Sequence, residues 1–195
     1  VFALTDDRLE FQPLMKDGDR ITKGEIAFRV SGPSQSLLQS ERLALNFLQR
    51  MSGIASYTAR LNEMIQHTWA RLLDTRKTTP TLRFLEKEAV WLGGGVNHRL
   101  GLYDMIMLKD NHIDFAGGVG PAIEAAQRYC DSQGLDIPIE VETRTLQELE
   151  EALRYPGIQR VMLDNYSVAE TRRAVSIVDG KVETEASGGL EESNL

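Results

Sequence analysis

The sequence is poor in cysteine and histidine, and this restricts the chemistry that it supports. Its single cysteine, Cys130, cannot form an internal disulfide bond and lies in a segment with helical periodicity. We therefore expect Cys130 to be a buried or half-buried structural thiol and not a nucleophile. Three histidines in 195 residues are few for a zinc site, which usually needs two or three nitrogen or sulfur ligands.

Long apolar runs and an excess of basic residues are also absent. No apolar segment approaches the roughly 20 residues that a membrane span needs, and the start of the chain has neither a basic leader nor a signal-type core. A formal net charge of −7 argues against broad nucleic-acid binding, which usually shows as a basic domain. We found no tandem repeat and no low-complexity segment. We expect a soluble, cytoplasmic protein with neither nucleic acid nor membrane as a partner.

The composition is that of a globular protein with one substantial core, at 42% hydrophobic and 26% charged residues. The chain starts without methionine and stops soon after a Ser-Gly-Gly segment that resembles a loop entering a helix. A complete barrel of eight strand–helix units typically needs about 250 residues. We therefore expect that segments are missing at both ends.

The first third of the chain changes from a β pattern to a helical one. Turn signals at residues 16–19 and 22–24 flank a predicted strand over residues 25–32. Amphipathic periodicity then predicts a helix over residues 34–67, with Ser34 or Ser36 as its N-cap and a possible break at Gly53.

Strands and helices alternate in the rest of the chain. Five short apolar runs each end in a polar or charged cluster, and predicted helices separate them near residues 82–92, 120–132, 146–155 and 168–178. This alternation predicts parallel β/α units, in which the chemistry gathers where the strands end. The clusters should therefore share one mouth. They follow Leu73, Leu108, Val141, Leu163 and Ala186.

The predicted mouth combines cations with carboxylates. The potential cations are Arg76, Lys77, His98, Arg99, Lys109 and His112. Such a concentration of positive charge would be costly without an anion, so a polyanionic substrate is expected. We expect hydrogen bonding and not metal ligation from His112. The three glycines at 93–95 would let the backbone approach a ligand closely.

Glu142 and Asp164 end successive predicted strands, and Glu140 shares the side of Glu142. Carboxylates suit Mg²⁺ shared with substrate phosphates, although each could simply pair with a nearby cation. Ser187-Gly188-Gly189 is typical of a phosphate-binding turn, but the signal is weak alone.

Taken in order, these motifs resemble those of the quinolinate phosphoribosyltransferases, also called nicotinate-nucleotide pyrophosphorylases (carboxylating). The resemblance covers nearly the whole chain, and the ordered set is specific although each piece is not. It rests on the segments Asp74-Thr75-Arg76-Lys77-Thr78, Gly93-Gly94-Gly95, Asn97-His98-Arg99-Leu100-Gly101-Leu102, Leu108-Lys109-Asp110-Asn111-His112, Glu140-Val141-Glu142-Thr143, Met162-Leu163-Asp164-Asn165 and Glu185-Ala186-Ser187-Gly188-Gly189.

The resemblance implies an enzyme of NAD biosynthesis. It would transfer phosphoribosyl from phosphoribosyl pyrophosphate to quinolinate with Mg²⁺, giving nicotinate mononucleotide, pyrophosphate and CO₂. The implied fold is α/β. Residues 1–50 would form part of a small N-terminal α/β sandwich domain with a linking helix, and residues 51–195 an incomplete, catalytic β/α (TIM-like) barrel. A homodimer is implied, in which Arg42 reaches the neighbouring subunit's site.

The resemblance also implies roles for single residues. Arg76 and Arg99, helped by His98 and Lys109, would hold the quinolinate carboxylates. Lys77 and Lys109 would face phosphates, and Glu142 and Asp164 would face the ribose hydroxyls and Mg²⁺. Ser187, Gly188 and Gly189 would bind the 5′-phosphate. The predicted catalytic residues are Lys109, Glu142 and Asp164.

Three alternatives stay open. A nicotinate phosphoribosyltransferase would hold only one carboxylate, whereas paired Arg76 and Arg99 favour a dicarboxylate. A paralogue associated with molybdenum transport shares some motifs, but the segment from Lys109 to His112 argues against it. A non-catalytic module that binds phosphate or sugar phosphate is the third alternative, and the intact residues Glu142, Asp164 and Lys109 count against it.

Overall fold

The structure, a computed structural model, describes all residues from Val1 to Leu195. It divides into two compact units, Val1–His98 and Arg99–Leu195. None of the helices is both long and apolar enough to cross a membrane.

The first unit begins with a small sheet beside a short helix. Helix α1 (Phe2–Thr5) precedes strands β1 (Glu10–Pro13) and β2 (Phe28–Ser31), which pair antiparallel. The rings of Phe2, Phe11 and Phe28 cluster, with centroids 5.2–6.2 Å apart. Contacts between these rings help to hold so small a sheet together, although Phe11 is 50% exposed. The predicted strand is therefore present but shorter than expected.

Helix α2 (Ser34–Ile65) is continuous, so the predicted break at Gly53 was wrong. Gly53 lies on an exposed part of the helix with open space around it. It therefore lowers helix stability only as much as an ordinary glycine in a helix does. The predicted N-cap was also wrong, because Pro33 occupies that position without a side-chain cap. The Ser36 hydroxyl instead donates a hydrogen bond to Asp6.

Helix α3 (Arg83–Leu92) packs against α2, and the glycines after it make this contact possible. A Cβ on Gly93 would lie 2.7 Å from the Cβ of Thr58, and one on Gly95 would lie 3.0 Å from its methyl group. Close helix packing therefore accounts for these two glycines, where we had predicted close approach to a ligand. The apolar run ending at Leu73 forms only one parallel bridge, to Val96.

The second unit is built on four parallel strands in the order β3-β4-β5-β6. Helices lie between them in sequence, as the alternation predicts, and the α/β fold is confirmed. A helix directly after β3 was not predicted. The elements are β3 (Ile106–Leu108), α4 (Asp110–Ala116), α5 (Val119–Gln133), β4 (Ile139–Thr143), α6 (Leu146–Ala152), β5 (Arg160–Asp164), α7 (Val168–Val178) and β6 (Glu183–Ser187).

One face of this sheet packs against helices to form the core. Val141 and Val161 are fully buried on that face, against Ile123 of α5 and Leu149 of α6. Cys130 is buried on α5, as predicted. Because side chains alternate along a strand, the opposite face is free to carry polar groups.

Candidate functional site

The second unit brings four of the predicted site positions to one edge of its sheet. Lys109 follows β3, Glu142 lies near the end of β4, and Asp164 and Ser187 end β5 and β6. Asp164 pairs in register with Ser187. Parallel strands end at a common edge, so the prediction that these clusters share an edge is confirmed for the four runs of this unit.

The two carboxylates at this edge interact with each other and with Lys109. Partial burial raises the pKa of Glu142, and the negative charge of Asp164 raises it further. The ammonium of Lys109 and the backbone N–H of Asp110 act in the opposite direction and favour the charged form. Carboxylates placed in this way can accept hydrogen bonds from hydroxyl groups or coordinate a cation.

His112 takes part in the start of helix α4. Its Nδ1 accepts a hydrogen bond from the backbone N–H of Lys109, at 3.0 Å. The predicted hydrogen-bonding role of His112 is therefore observed. This bond satisfies one of the N–H groups that a helix leaves unpaired at its start, and it fixes the backbone from which the Lys109 side chain extends.

Asn165 connects the ends of β5 and β6, and we did not predict its role. Its backbone N–H donates to the carbonyl of Ser187 at 2.8 Å, and its amide donates to the Asp164 carboxylate at 2.9 Å. Gly188, with φ +81°, lies so close to the Asn165 side chain that a Cβ there would overlap it. The feature of the sequence that could have indicated this role is that Asn165 directly follows Asp164, which ends a predicted strand.

Below this edge, the polar face of the sheet carries an arginine among three glutamates. Arg160 lies 2.6 Å from Glu183, 3.5 Å from Glu185 and 3.9 Å from Glu140, which is fully buried. The cluster joins β4, β5 and β6. We predicted the side of the strand on which Glu140 lies but not its arginine partner, because nothing in the local sequence links residues 20 or more apart.

Arg99 is held by the segment that leads into β3. Its guanidinium donates to the carbonyl of Met105 at 3.1 Å and contacts the sulfur of Met107 at 3.5 Å. The arginine is therefore anchored on the strand that precedes Lys109.

In the first unit, a buried aspartate joins two of the predicted basic segments. The Asp74 carboxylate pairs with Lys87 of α3, and both side chains are only 4% exposed. It also accepts the backbone N–H of His98 at 2.8 Å, while Lys87 donates to the His98 carbonyl at 2.8 Å. The Asn97 amide, oriented to satisfy its neighbours, donates to Asp74 as well. The segment carrying Arg76 is thereby fixed to the segment carrying His98.

Part of the Arg76 guanidinium has no hydrogen-bond partner. The Nε of Arg76 is buried and has no hydrogen-bond partner, while Lys77 is exposed. Arg42 is exposed on α2. A buried guanidinium nitrogen without an acceptor is suited to binding an anion.

Parallel β/α units with acidic groups and a Gly-Gly turn at the carboxyl edge define an α/β protein. Residues 54–195 match the family described as "Quinolinate phosphoribosyl transferase, C-terminal domain", and residues 1–52 match its N-terminal domain. The chain belongs to the quinolinate phosphoribosyltransferase family.

Similar proteins agree with this assignment. The chain is 41% identical to a mitochondrial quinolinate phosphoribosyltransferase (decarboxylating) of Nicotiana glauca, over 97% of this chain and 58% of that protein. It is 42% identical to a probable nicotinate-nucleotide pyrophosphorylase (carboxylating) of Bacillus subtilis, over 97% of this chain and 64% of that one. The chain therefore spans about three fifths of the length of these relatives.

Solved structures show the same fold. NadC from Streptococcus pyogenes superposes with a TM-score of 0.91 at 44% identity, over 98% of this chain and 67% of that one. The nicotinate-nucleotide pyrophosphorylase from Francisella tularensis gives a TM-score of 0.92 at 38% identity, with the same coverage. The predicted fold class and family are thus confirmed.

Proposed function

We propose that this chain is the catalytic part of a quinolinate phosphoribosyltransferase. In this proposal it transfers phosphoribosyl from phosphoribosyl pyrophosphate to quinolinate, and releases pyrophosphate and CO₂ to leave nicotinate mononucleotide. The observation that carries the proposal is the convergence of Lys109, Glu142, Asp164 and Ser187 on one sheet edge, in a chain of this family.

Quinolinate has two adjacent carboxylates, and the proposed groups for them are Arg76, His98 and Arg99. The buried, unpartnered Nε of Arg76 and the anchored guanidinium of Arg99 support this assignment. A planar guanidinium can bind a carboxylate through two parallel hydrogen bonds. Lys109 would add a further positive charge near the ring.

The phosphates of the second substrate would bind to Lys77, Lys109 and the 187–189 turn. Gly188 and Gly189 both have positive φ, and the backbone N–H groups of a turn can bind an anion. The Ser187 hydroxyl would add one more donor.

Glu142 and Asp164 are the proposed ligands for the ribose hydroxyls and for Mg²⁺. The fit to Mg²⁺ rests on the donor set, because two carboxylates close enough to raise the pKa of Glu142 offer the hard oxygen ligands that Mg²⁺ prefers. When bound, the metal would neutralise charge on the departing pyrophosphate. The carboxylates would meanwhile hold the ribose by its hydroxyl groups.

The protein's main task in this reaction is to bring two anions together despite their repulsion. Departure of pyrophosphate leaves an oxocarbenium-like ribose, which the pyridine nitrogen attacks. The nitrogen is then cationic and stabilises the carbanion left as CO₂ departs. This carbanion takes up a proton from solvent, which gives nicotinate mononucleotide. Fixed cations would hold quinolinate, and fixed carboxylates would hold the ribose of the second substrate. Together they would position the two substrates for the reaction.

The proposal includes a homodimer in which Arg42 contacts the site of the neighbouring subunit. Its support is the exposed position of Arg42 on α2 and the family resemblance. Cytoplasmic location, and the lack of nucleic-acid and membrane partners, stay predictions from the sequence.

A direct test compares two pyridine acids as acceptors. We would incubate the protein with phosphoribosyl pyrophosphate, Mg²⁺ and either quinolinate or nicotinate, and quantify nicotinate mononucleotide by chromatography. The proposal predicts product from quinolinate only. Product from nicotinate alone would favour the monocarboxylate enzyme, and substrate binding without product in either case would favour a binding module.

A further inference from the structure

One face of helix α3 is directed at the loop that carries Arg76 and Lys77. Arg83, Glu86 and Lys87 are spaced three and four residues apart, so they lie on the same side of the helix. Each of the three contacts a different part of residues 74–79, called here the basic loop.

The contacts cover the loop from its start to its end. Lys87 pairs with the Asp74 carboxylate at the start. Arg83 donates to the Arg76 carbonyl at 3.4 Å and to the Thr78 hydroxyl at 3.3 Å. The Glu86 carboxylate accepts the backbone N–H of Thr79 at 3.0 Å. These are the loop's own backbone groups or short side chains beside them.

Arg50 of α2 supports the same helix face from behind. Its Nε donates to Glu86 at 2.9 Å, and its Nη2 contacts both Glu86 and the Thr79 hydroxyl. The hydrogen bonds to Arg50 and Thr79 hold the pKa of Glu86 below its ordinary value, although burial acts in the opposite direction. Glu86 is thus kept as a charged acceptor for the loop.

This support leaves the cationic ends of the loop uncommitted. The contacts described above do not use the guanidinium of Arg76 or the ammonium of Lys77, and Nε of Arg76 is buried without a partner. The helix therefore fixes the backbone while the charged ends stay available. Fixing a binding loop in advance lowers the entropy lost when a ligand binds.

We propose that Arg83, Glu86 and Lys87 are positioning residues, which hold the basic loop in the one backbone conformation that lets Arg76 bind a carboxylate of the acceptor substrate. This proposal rests on the proposed function, because it takes quinolinate as the ligand of Arg76. The three residues act through the loop and do not touch substrate.

The test uses Glu86→Met and Arg83→Met. Lys87→Met is unsuitable, since it would leave the buried Asp74 carboxylate unpaired and could prevent folding. Removal of Glu86 leaves Arg50, which is 47% exposed and can be solvated. Glu88→Met is the matched control, because Glu88 is exposed on the same helix and receives the same substitution.

Two quantities are measured in each variant: amide hydrogen exchange by mass spectrometry without ligand, and the quinolinate Kd by calorimetry. We expect exchange in residues 74–79 to become about 10-fold faster in Glu86→Met and in Arg83→Met, with exchange in β4 unchanged. We expect quinolinate binding to weaken about 10-fold in parallel. Glu88→Met should change neither quantity by more than about 2-fold. Arg83→Lys, which keeps the positive charge and one donor nitrogen, should recover part of the binding.

Unchanged exchange in residues 74–79 would overturn the proposal, and so would faster exchange throughout the chain, which would indicate a general loss of stability. Faster loop exchange with an unchanged quinolinate Kd would also overturn it, because the loop would then not control binding. If the unsubstituted protein bound no quinolinate, the proposed function would fail, and the exchange data alone would decide whether α3 holds the loop.

Discussion

Two buried charged residues fix the predicted basic segments of the first unit. Lys87 and Asp74 are each 4% exposed, and between them they hold both segments that carry the predicted cations of the first unit. Sequence patterns predicted the cations themselves, because charged residues after apolar runs are visible along the chain. They did not predict Lys87, since a pair 13 residues apart in sequence gives no local signal.

Lys87→Met should destabilise the protein by about 3–5 kcal/mol, because it leaves an ionised carboxylate buried without its partner. Unfolding in urea, followed by circular dichroism, measures this change. Lys181→Met, at an exposed position, should alter the free energy of unfolding by no more than about 0.5 kcal/mol. Equal effects of the two substitutions would contradict the structural role of Lys87.

Glu142 should make stability depend on pH in a defined direction. Burial and the charge of Asp164 raise its pKa in the folded protein above the ordinary value of 4.5. The folded state then binds the proton more tightly, so this contribution to stability is full below about pH 4.5 and is lost as pH rises through the raised pKa. Relative to Glu142→Gln, the parent protein should lose stability as pH increases above about 4.5.

Urea unfolding of both proteins in EDTA, at steps between about pH 4 and pH 7, measures this difference. A parent protein that gained stability relative to Glu142→Gln over that range would show that the sign is wrong. Glu150→Gln, at an exposed position on α6, is the control for changing a glutamate.

At the scale of helices and strands, the elements with regular amphipathic periodicity were predicted best. Helices α3, α5 and α7 lie within one residue of their predicted bounds, because amphipathic runs flanked by glycine or a polar cap mark such helices well. Helix α4 was missed because it follows β3 without a loop, and its first turn was interpreted only as a polar cluster. The run ending at Leu73 failed as a strand, since tertiary pairing gave it a single bridge.

The connection between the ends of β5 and β6 gives a prediction at this scale. Gly188→Ala should destabilise the protein by roughly 1–3 kcal/mol, because the new methyl group would overlap Asn165. It should also weaken phosphoribosyl pyrophosphate binding by displacing Asn165 from the carboxylate of Asp164. Calorimetry and urea unfolding measure the two effects.

Gly180→Ala separates backbone strain from this overlap. Gly180 has a similar positive φ, +70°, but nothing within 4 Å of a new Cβ. It should cost less than Gly188→Ala and leave binding unchanged. If both variants lost stability and binding to the same extent, the positive φ alone, and not contact with Asn165, would explain the need for glycine at position 188.

For the whole molecule, the sequence predicted the α/β class and the family, and both are confirmed. The predicted boundary near residue 50 stays a prediction. The family's two domains match on either side of residue 53, whereas the division between the compact units falls after His98. Helix α2 runs without interruption from Ser34 to Ile65, so no break in local structure marks the predicted boundary.

The proposed dimer predicts complementation between two inactive variants. Arg42→Ala lacks the group that a subunit lends to its neighbour, and Asp164→Asn lacks a group of its own site. Mixed after reversible dissociation, they should form hybrid dimers with one intact site, and recover about a quarter of the parent activity. No recovery, with hybrid dimers shown by mass spectrometry, would contradict a shared site.

The central claim is the decarboxylating transfer itself, and one assay tests it most directly. The protein is mixed with carboxyl-labelled quinolinate, phosphoribosyl pyrophosphate and Mg²⁺, and released CO₂ is measured with each component omitted in turn. We predict release only when all three are present, and its loss in Asp164→Asn. Release without phosphoribosyl pyrophosphate, or none from a longer chain that contains these residues, would contradict the account.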